Sequence, residues 1–134
     1  DVKFNAAREL ACHYVEKEEW ANVQALLERS DIEVRRGTTS GVASGLERAA
    51  EGVDVSGAIR ALEQALSDED ERVRSVAVAG FERIAAAGRI DISSAVPALA
   101  AALADEGKYM REGVLRTLQA YALSRKRNAM KKRM

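Results

Sequence analysis

Two versions of one segment lie 37 positions apart, Val53-Asp-Val-Ser-Gly-Ala-Ile-Arg-Ala-Leu-Glu-Gln-Ala-Leu66 and Ile90-Asp-Ile-Ser-Ser-Ala-Val-Pro-Ala-Leu-Ala-Ala-Ala-Leu103. Seven of the fourteen aligned positions are identical, and three more exchange Val and Ile. A shift of 39 positions then carries Asp70 back onto Asp31. A period near 40 residues is typical of helical arrays, in which no single unit buries its own apolar face.

Apolar residues within each unit recur at helical spacing rather than in alternation. Ile59, Leu62 and Leu66, for example, lie three and four positions apart, as on one side of a helix. The pattern predicts an all-α solenoid of stacked helix pairs, with helices over 2–16, 19–29, 32–50, 56–67, 70–87, 94–104 and 107–124 or beyond. We predict a half repeat over 1–17, repeats over 18–52, 53–89 and 90–123, and a basic tail or helix extension over 124–134.

The predicted helix ends carry the residues that such ends favour. Asp31 and Asp70 stand where a side-chain oxygen would accept the free amide hydrogens of a second helix. Gly52 and Gly88 stand where a left-handed residue would end a helix. Pro97 falls within or just after a first turn, where its missing N–H costs little.

Composition restricts the class of protein. The chain has 134 residues, of which 47% are hydrophobic and 31% charged, enough for one domain with its own core. The single cysteine, Cys12, excludes a disulfide scaffold and suits a small core group in a reducing compartment, so we predict a cytoplasmic protein. The longest nearly apolar stretch, 95–104, is about half a membrane span, and no membrane association is expected.

The formal net charge of zero hides a strong asymmetry. Residues 1–123 carry 15 basic and 21 acidic side chains, whereas the last eleven residues carry six basic and no acidic ones. Such a tail is typical of a solvated helix end, a targeting signal or a contact with nucleic acid. The candidates for nucleic-acid contact are Arg125, Lys126, Arg127, Lys131, Lys132 and Arg133.

Two short motifs carry a family resemblance. Asp31-Ile-Glu-Val34-Arg35 and Asp70-Glu-Arg-Val73-Arg74 each follow a Leu-rich helix and precede a helix with small residues, and this arrangement resembles the HEAT repeat family. Ala95-Val-Pro-Ala-Leu-Ala-Ala-Ala-Leu103 is similar to the short prokaryotic form of that repeat, as in phycobilin-lyase-type proteins. The resemblance implies a solenoid fold used to bind many different partners.

The resemblance also implies a ladder of charged residues between successive units. In HEAT repeats the Asp of the turn and the Arg after the Val form its rungs. Here those places are held by Asp31, Arg35, Asp70, Arg74 and Arg111. The third unit departs from the pattern because Gly107 stands where its Asp should be. We expect the ladder to fix the register between units, since exposed ion pairs add only about 0 to 1 kcal/mol each.

Three glycines four residues apart, Gly37, Gly41 and Gly45, fall inside a predicted helix. Each interior glycine costs about 0.5 to 1 kcal/mol relative to alanine, so the small size must serve a close approach. A neighbouring helix is the first explanation, and a partner backbone or ligand reaching 38–40 is the second. The segment is neither a phosphate-binding loop nor a nucleophile elbow.

The sequence holds no recognisable catalytic or metal-binding constellation. One His and one Cys, His13 and Cys12, fall short of the about four ligands that a closed zinc site needs. Trp20 aligns with the core positions Ile59 and Val96, so we place it in the core. We therefore expect no cofactor, no metal and no enzymatic activity.

A protein-binding scaffold is the leading functional prediction. If the second helices form the concave side, as the resemblance implies, they offer arginine and hydroxyl groups to another protein. The candidate partner-binding residues are Arg36, Thr39, Ser40, Arg48, Arg72, Arg83 and Arg116. A nucleic-acid-binding module that uses the tail and these arginines is one alternative, and an accessory subunit of a lyase-type modifying enzyme is another.

Overall fold

A computed structural model describes residues 1–133 of the chain, and within that range it contains helices and turns but no strand. The helices are α1 (Val2–Glu16), α2 (Trp20–Leu27), α3 (Ile32–Arg48), α4 (Ser56–Leu66), α5 (Glu71–Ala87), α6 (Val96–Ala102) and α7 (Lys108–Arg133). A 3₁₀ turn, Ser93–Ala95, leads into α6. The predicted all-α solenoid is confirmed.

The helices stack in two layers. In one layer α1 packs against α3, α3 against α5 and α5 against α7, and in the other α2 packs against α4 and α4 against α6. Helix pairs joined by short turns therefore follow one another along the array, each covering the apolar side of its neighbour. We call the exposed side of α3, α5 and α7 the second-helix surface.

One apolar cluster runs along the array between the two layers. Leu46, Leu62, Phe81 and Leu99 come from α3, α4, α5 and α6, and each is completely buried. Val114 of α7 completes the cluster at the far end. Because successive units share this core, removing one large side chain affects the packing of both neighbouring units.

The residues predicted at helix ends are confirmed, with the exception of Gly52. The Asp31 carboxylate accepts from the backbone N–H groups of Glu33 and Val34, and the Asp70 carboxylate accepts from that of Arg72. Gly88 ends α5 with a φ of +69°, as predicted. Gly52 also has a positive φ, +88°, but it lies in the turn after α3, which already ends at Arg48. Pro97 lies in the first turn of α6, as predicted.

Several predicted boundaries differ from the structure, and α2 and α3 each end two residues before the predicted end, at Leu27 and Arg48. Helix α6 covers Val96–Ala102 rather than 94–104, because both of its ends tighten into i to i−3 bonds, such as Leu103 N–H to Ala100 O at 3.2 Å. Helix α7 continues without a break to Arg133, so the described part of the basic tail is a helix extension. The last residue of the predicted tail, Met134, lies outside the described residues.

Candidate interaction surface

The turns inside the helix pairs carry a ladder of arginines. Arg35 Nε donates to Asp68 Oδ2 at 3.0 Å, and Arg74 Nε donates to Asp105 Oδ2 at 2.8 Å, so each bond joins one unit to the next. The spare donors turn back to the chain, because Arg35 Nη1 donates to the carbonyl oxygens of Arg29 and Ser30 at 3.0 and 2.8 Å. Each arginine therefore satisfies its own turn and fixes the following unit.

The carboxylates of this ladder differ from those the resemblance implies. Asp31 and Asp70 instead cap their own helices, and their side chains form ion pairs with Lys3 and Arg72. Asp68 and Asp105 accept from the arginines, and their second oxygens accept from backbone N–H groups two residues further on. A carboxylate at a helix cap is already engaged by the amides of the first turn, so Asp31 and Asp70 do not serve as the acceptors of Arg35 and Arg74.

The sequence contains a signal that would have identified the correct carboxylates. The shift of 37 positions carries Asp68 onto Asp105, whereas it carries Asp70 onto Gly107. Arg111 occupies the third place and donates to the carbonyl oxygens of its own turn at 2.8 and 3.0 Å. Within residues 1–133 it forms no ion pair.

The ladder is too buried to serve as a docking site. The Arg35 side chain is 7% exposed and that of Asp68 is 13% exposed. The hydrogen bond to Asp68 raises the pKa of Arg35, which keeps the guanidinium charged despite its burial. This pair is therefore part of the packing between two helix pairs.

Two exposed arginines on the second-helix surface form ion pairs between neighbouring helices. Arg83 Nε of α5 lies 2.7 Å from Glu47 Oε1 of α3, and Arg116 Nε of α7 lies 2.6 Å from Glu82 Oε1 of α5. Their side chains are 52% and 56% exposed. Such pairs are screened by water and are readily exchanged for other partners.

Two other predicted arginines are held within their own helix. Arg36 Nη1 donates to Glu33 Oε2 at 2.7 Å, and its guanidinium carbon lies 5.2 Å from the centroid of the Phe4 ring. Arg72 pairs with Asp70 at 3.0 Å, at the turn rather than along the helix. Arg36, with a side chain 31% exposed, is therefore less available to a partner than Arg83 and Arg116, whereas Arg72, at 61%, is as exposed as they are but lies at the turn.

Arg48 is exposed near the end of α3. Its Nη1 lies 3.7 Å from the sulfur of Cys12, which is buried in α1 as predicted. Within the described residues Arg48 forms no salt bridge with a carboxylate. Among the arginines predicted for partner binding, it has the guanidinium with the weakest internal contact.

The hydroxyl candidates need a correction. Thr39 is 1% exposed, and its Oγ1 donates to the carbonyl oxygen of Arg35 at 2.8 Å, so it cannot contact a partner. Ser40 is half-buried. The helical pattern did not reveal this burial because threonine looks polar in sequence, whereas a threonine hydroxyl inside a helix bonds to the preceding turn.

Helix α1 occupies the glycine-rich side of α3. A Cβ atom on Gly37 or Gly41 would collide with the carbonyl oxygens of Phe4 and Arg8, respectively. A Cβ on Gly45 would lie 2.8 Å from the Cβ of Val15. Close helix packing is therefore the role of the three glycines, and no opening remains there for a ligand or partner backbone.

The last turns of α7 carry the basic residues of the tail. Arg125 Nη1 donates to the Tyr121 hydroxyl at 2.8 Å, and its guanidinium carbon lies 5.7 Å from the centroid of the Tyr121 ring. The tyrosine hydroxyl raises the pKa of Arg125, so this group is charged at any physiological pH. The salt bridges seen in residues 1–133 include none of the six tail cations.

The remaining sequence candidates lie apart from one another. His13 is exposed on α1, whereas the neighbouring Cys12 is buried. Trp20 packs at the margin of the core, with its ring over Gly57. Across the described chain, no three His, Cys, Asp or Glu side chains cluster as metal ligands would, and no helix has the length and apolar character needed to cross a membrane.

Comparison with known proteins points to one family. The family described as non-SMC mitotic condensation complex subunit 1 matches residues 1–131. No curated protein and no solved structure matches the chain. The family is helical and HEAT-like, in agreement with the stacked helix pairs, and it does not specify the short prokaryotic form of the repeat. Because the match spans nearly all residues of this chain, the chain belongs to the family of non-SMC mitotic condensation complex subunit 1.

Proposed function

We propose that this protein is a non-catalytic HEAT-like scaffold that binds another protein through the second-helix surface. The main support is the set of half-exposed arginines on neighbouring helices, two of which hold only exchangeable ion pairs. The family name describes a subunit of a complex, which is consistent with a protein partner. The division into repeats over 18–52, 53–89 and 90–123 is part of the same proposal.

A partner carboxylate would enter this surface by replacing an internal one. Arg83 and Arg116 would exchange Glu47 and Glu82 for acidic groups of the partner, at little net cost because the internal pairs are solvent-exposed. Arg48 would gain a carboxylate without losing one. The binding free energy would come from a few such arginines among many neutral contacts.

The test is affinity capture from a lysate of the source cells, treated with nuclease, followed by measurement of the dissociation constant of the captured protein. We expect the triple variant Arg48→Ala, Arg83→Ala, Arg116→Ala to bind it at least tenfold more weakly. A matched triple variant that removes three exposed cations elsewhere, Lys17→Ala, Arg29→Ala, Arg60→Ala, should lose less than twofold.

Two outcomes would contradict the scaffold proposal. Equal losses in both triple variants would show that net charge, not this surface, governs binding. Turnover of a substrate by the purified chain alone would contradict the absence of catalysis. As an internal control, Thr39→Val should leave the affinity unchanged because Thr39 is buried.

Nucleic-acid binding is a second candidate, favoured by the helical extension of α7. Six cations lie on about three helical turns, with no salt bridge among the described residues to neutralise them. Contacts with six phosphates would give a log-log salt slope of about −4 for single strands and about −5 for duplexes. Replacing all six cations by Gln should flatten this slope, and an unchanged slope would exclude the tail as the binding element.

Two finer predictions stay open. The accessory lyase role depends only on the resemblance to the short prokaryotic repeats. Reconstitution with a catalytic subunit would test it. The cytoplasmic location depends on the single reduced cysteine, Cys12, and microscopy of a tagged full chain would test it.

A further inference from the structure

A cavity lies where the C-terminal extension of α7 passes the connection between α5 and α6. Its volume is about 340 Å³, and it opens to solvent. The connection contributes residues 88–91, and α7 contributes side chains from Tyr121 to Lys132. Helix α7 continues past the end of α5, and the cavity lies mostly along this extension.

A second cavity continues the first toward the second-helix surface. It has a volume of about 180 Å³ and shares Arg89 and Ile90 with the first. Its other walls are Glu47, Arg83, Ile84 and Ala87. Together the two cavities form a groove, which we call the α7 groove, from the ion pair of Arg83 to the basic end of α7.

The walls of the α7 groove are basic. Four cations, Arg83, Arg89, Arg125 and Lys132, face two carboxylates, Glu47 and Asp91, so the lining carries a net charge of +2. Glu47 is already paired with Arg83 at 2.7 Å. The groove therefore attracts negative groups, and the neighbouring cations of the tail strengthen that attraction.

Two of these arginines are held in place before any ligand arrives. Arg89 donates to the carbonyl oxygens of Glu47 and Ala49 at 2.8 and 2.6 Å, which fixes its guanidinium at the end of α3. Arg125 is held by the hydroxyl and ring of Tyr121. A cation that is already ordered loses less conformational entropy on binding, so it contributes more to affinity than a free lysine.

The floor of the α7 groove is aliphatic. Ile90 is half-buried and Ala87 and Ala129 are exposed, so these three side chains offer apolar surface, whereas Ile84 is 2% exposed and offers almost none. A nucleic-acid strand would gain little there, because the one aromatic ring of the lining, Tyr121, already lies against Arg125. A peptide with both carboxylates and an aliphatic side chain matches the walls and the floor together.

We propose that the α7 groove binds an acidic peptide segment of a partner protein, with an aliphatic side chain over Ile90 and Ala87 and carboxylates on Arg125 and Lys132. This inference depends on the proposed function, because it assumes that the partner is a protein. It adds a second contact region, at the edge of the array, to the arginines of the second-helix surface.

Helix geometry supplies a matched pair of variants for the test. Arg125 and Lys132 lie seven residues apart, which is nearly two turns, so they are on the same side of α7 and line the groove. Lys126 and Arg133 have the same spacing but lie about 100° around the helix and do not line it. The double variants Arg125→Gln, Lys132→Gln and Lys126→Gln, Arg133→Gln remove equal charge from the same extension.

The experiment selects binders to the immobilised full chain from a displayed library of random twelve-residue peptides. We expect enrichment of sequences with several Asp or Glu residues and at least one Leu, Ile or Val. The best peptide, measured by fluorescence anisotropy, should bind the Arg125→Gln, Lys132→Gln variant at least tenfold more weakly. It should bind the Lys126→Gln, Arg133→Gln variant with less than threefold loss, and circular dichroism should show both variants folded.

Three results would overturn the inference. These are a selection without enrichment, enriched peptides that lack acidic residues, and equal losses of affinity in the two double variants. A labelled twenty-nucleotide single strand is measured in parallel, and if it binds more tightly than every selected peptide, with loss confined to the groove variant, the groove is a nucleic-acid site instead. Failure here would leave the capture test of the second-helix surface untouched, so the two proposals fail separately.

Discussion

Replacing Gly41 by alanine tests the close contact between α3 and α1. In an exposed helix this substitution stabilises a protein, because alanine has the higher helix propensity by about 1 kcal/mol. In α3 the added Cβ would press on the carbonyl oxygen of Arg8 and would lie 2.9 Å from the Cβ of Ala11. We therefore expect the opposite sign from that of ordinary helix propensity.

The magnitude follows from what the Cβ meets. Overpacking a well-packed contact costs about 1 to 3 kcal/mol. The atoms around Gly41 are a backbone oxygen and an alanine methyl, and neither can rotate away, so the cost lies at the upper end of that range. After subtracting the gain in helix propensity, we expect a net loss of about 2 kcal/mol in the free energy of unfolding.

Urea denaturation followed by far-UV circular dichroism measures this loss. With a typical slope near 2 kcal/mol per molar urea, the midpoint should fall by about 1 M. Ser44→Ala in the same helix is the control and should change the free energy by at most about 0.5 kcal/mol. A Gly41→Ala midpoint equal to or above that of the unmodified chain would refute the close contact between α1 and α3.

Three further predictions concern charges and backbone. Arg35→Ala should lower the free energy of unfolding by about 3 kcal/mol because it leaves a buried carboxylate unpaired, whereas Arg83→Ala should cost at most about 1 kcal/mol; similar losses would contradict this difference. The hydrogen bond from the Arg72 side chain lowers the pKa of Asp70 below the value of an unfolded chain, which is about 3.9. The Asp70 carboxylate therefore stabilises the fold above about pH 3.9, and this stabilisation is lost as the pH falls through the pKa of the folded protein. The urea midpoint should therefore drop between pH 5 and pH 3 by less in Asp70→Asn than in the unmodified chain, and an equal drop would count against this role. Gly52→Ala should lower the free energy of unfolding by about 1 kcal/mol in a thermal unfolding measurement, because the φ of Gly52 is +88°, which strains an L residue even though no atom lies within 4 Å of the added Cβ. An unchanged free energy of unfolding would contradict this strain.

The positions of the helices could be predicted because the repeat and the helix ends agree. The shift of 37 positions carries the first residue of α4, Ser56, onto Ser93, where the 3₁₀ turn before α6 begins. The caps at Asp31 and Asp70 fix where α3 and α5 begin. Local signals fail where the terminal turns tighten, as at both ends of α6 and at the C-terminal ends of α2 and α3. There the choice between i−4 and i−3 bonds depends on how the turn packs, which one sequence does not reveal.

The partners of side chains were harder to predict than the helices. The repeat predicted an arginine ladder, and Arg35 and Arg74 do join one unit to the next. The accepting carboxylates are Asp68 and Asp105, which lie two residues before the motif positions Asp70 and Gly107. The cap residue Asp70 is instead bonded to the amides of its own helix. A two-residue displacement within a turn leaves the hydrophobic pattern unchanged, so the pattern could not detect it.

The two sets of arginines in this fold differ in what they can do, and burial decides the difference. Arg35 is 7% exposed and has three hydrogen-bonded acceptors, so releasing it would leave buried polar groups unsatisfied, at about 1 to 3 kcal/mol for each. Arg83 is 52% exposed and has one carboxylate partner, which water replaces at little cost. A partner protein can therefore recruit Arg83 and its neighbours on the second-helix surface without disturbing the register of the array, since that register depends on the buried set.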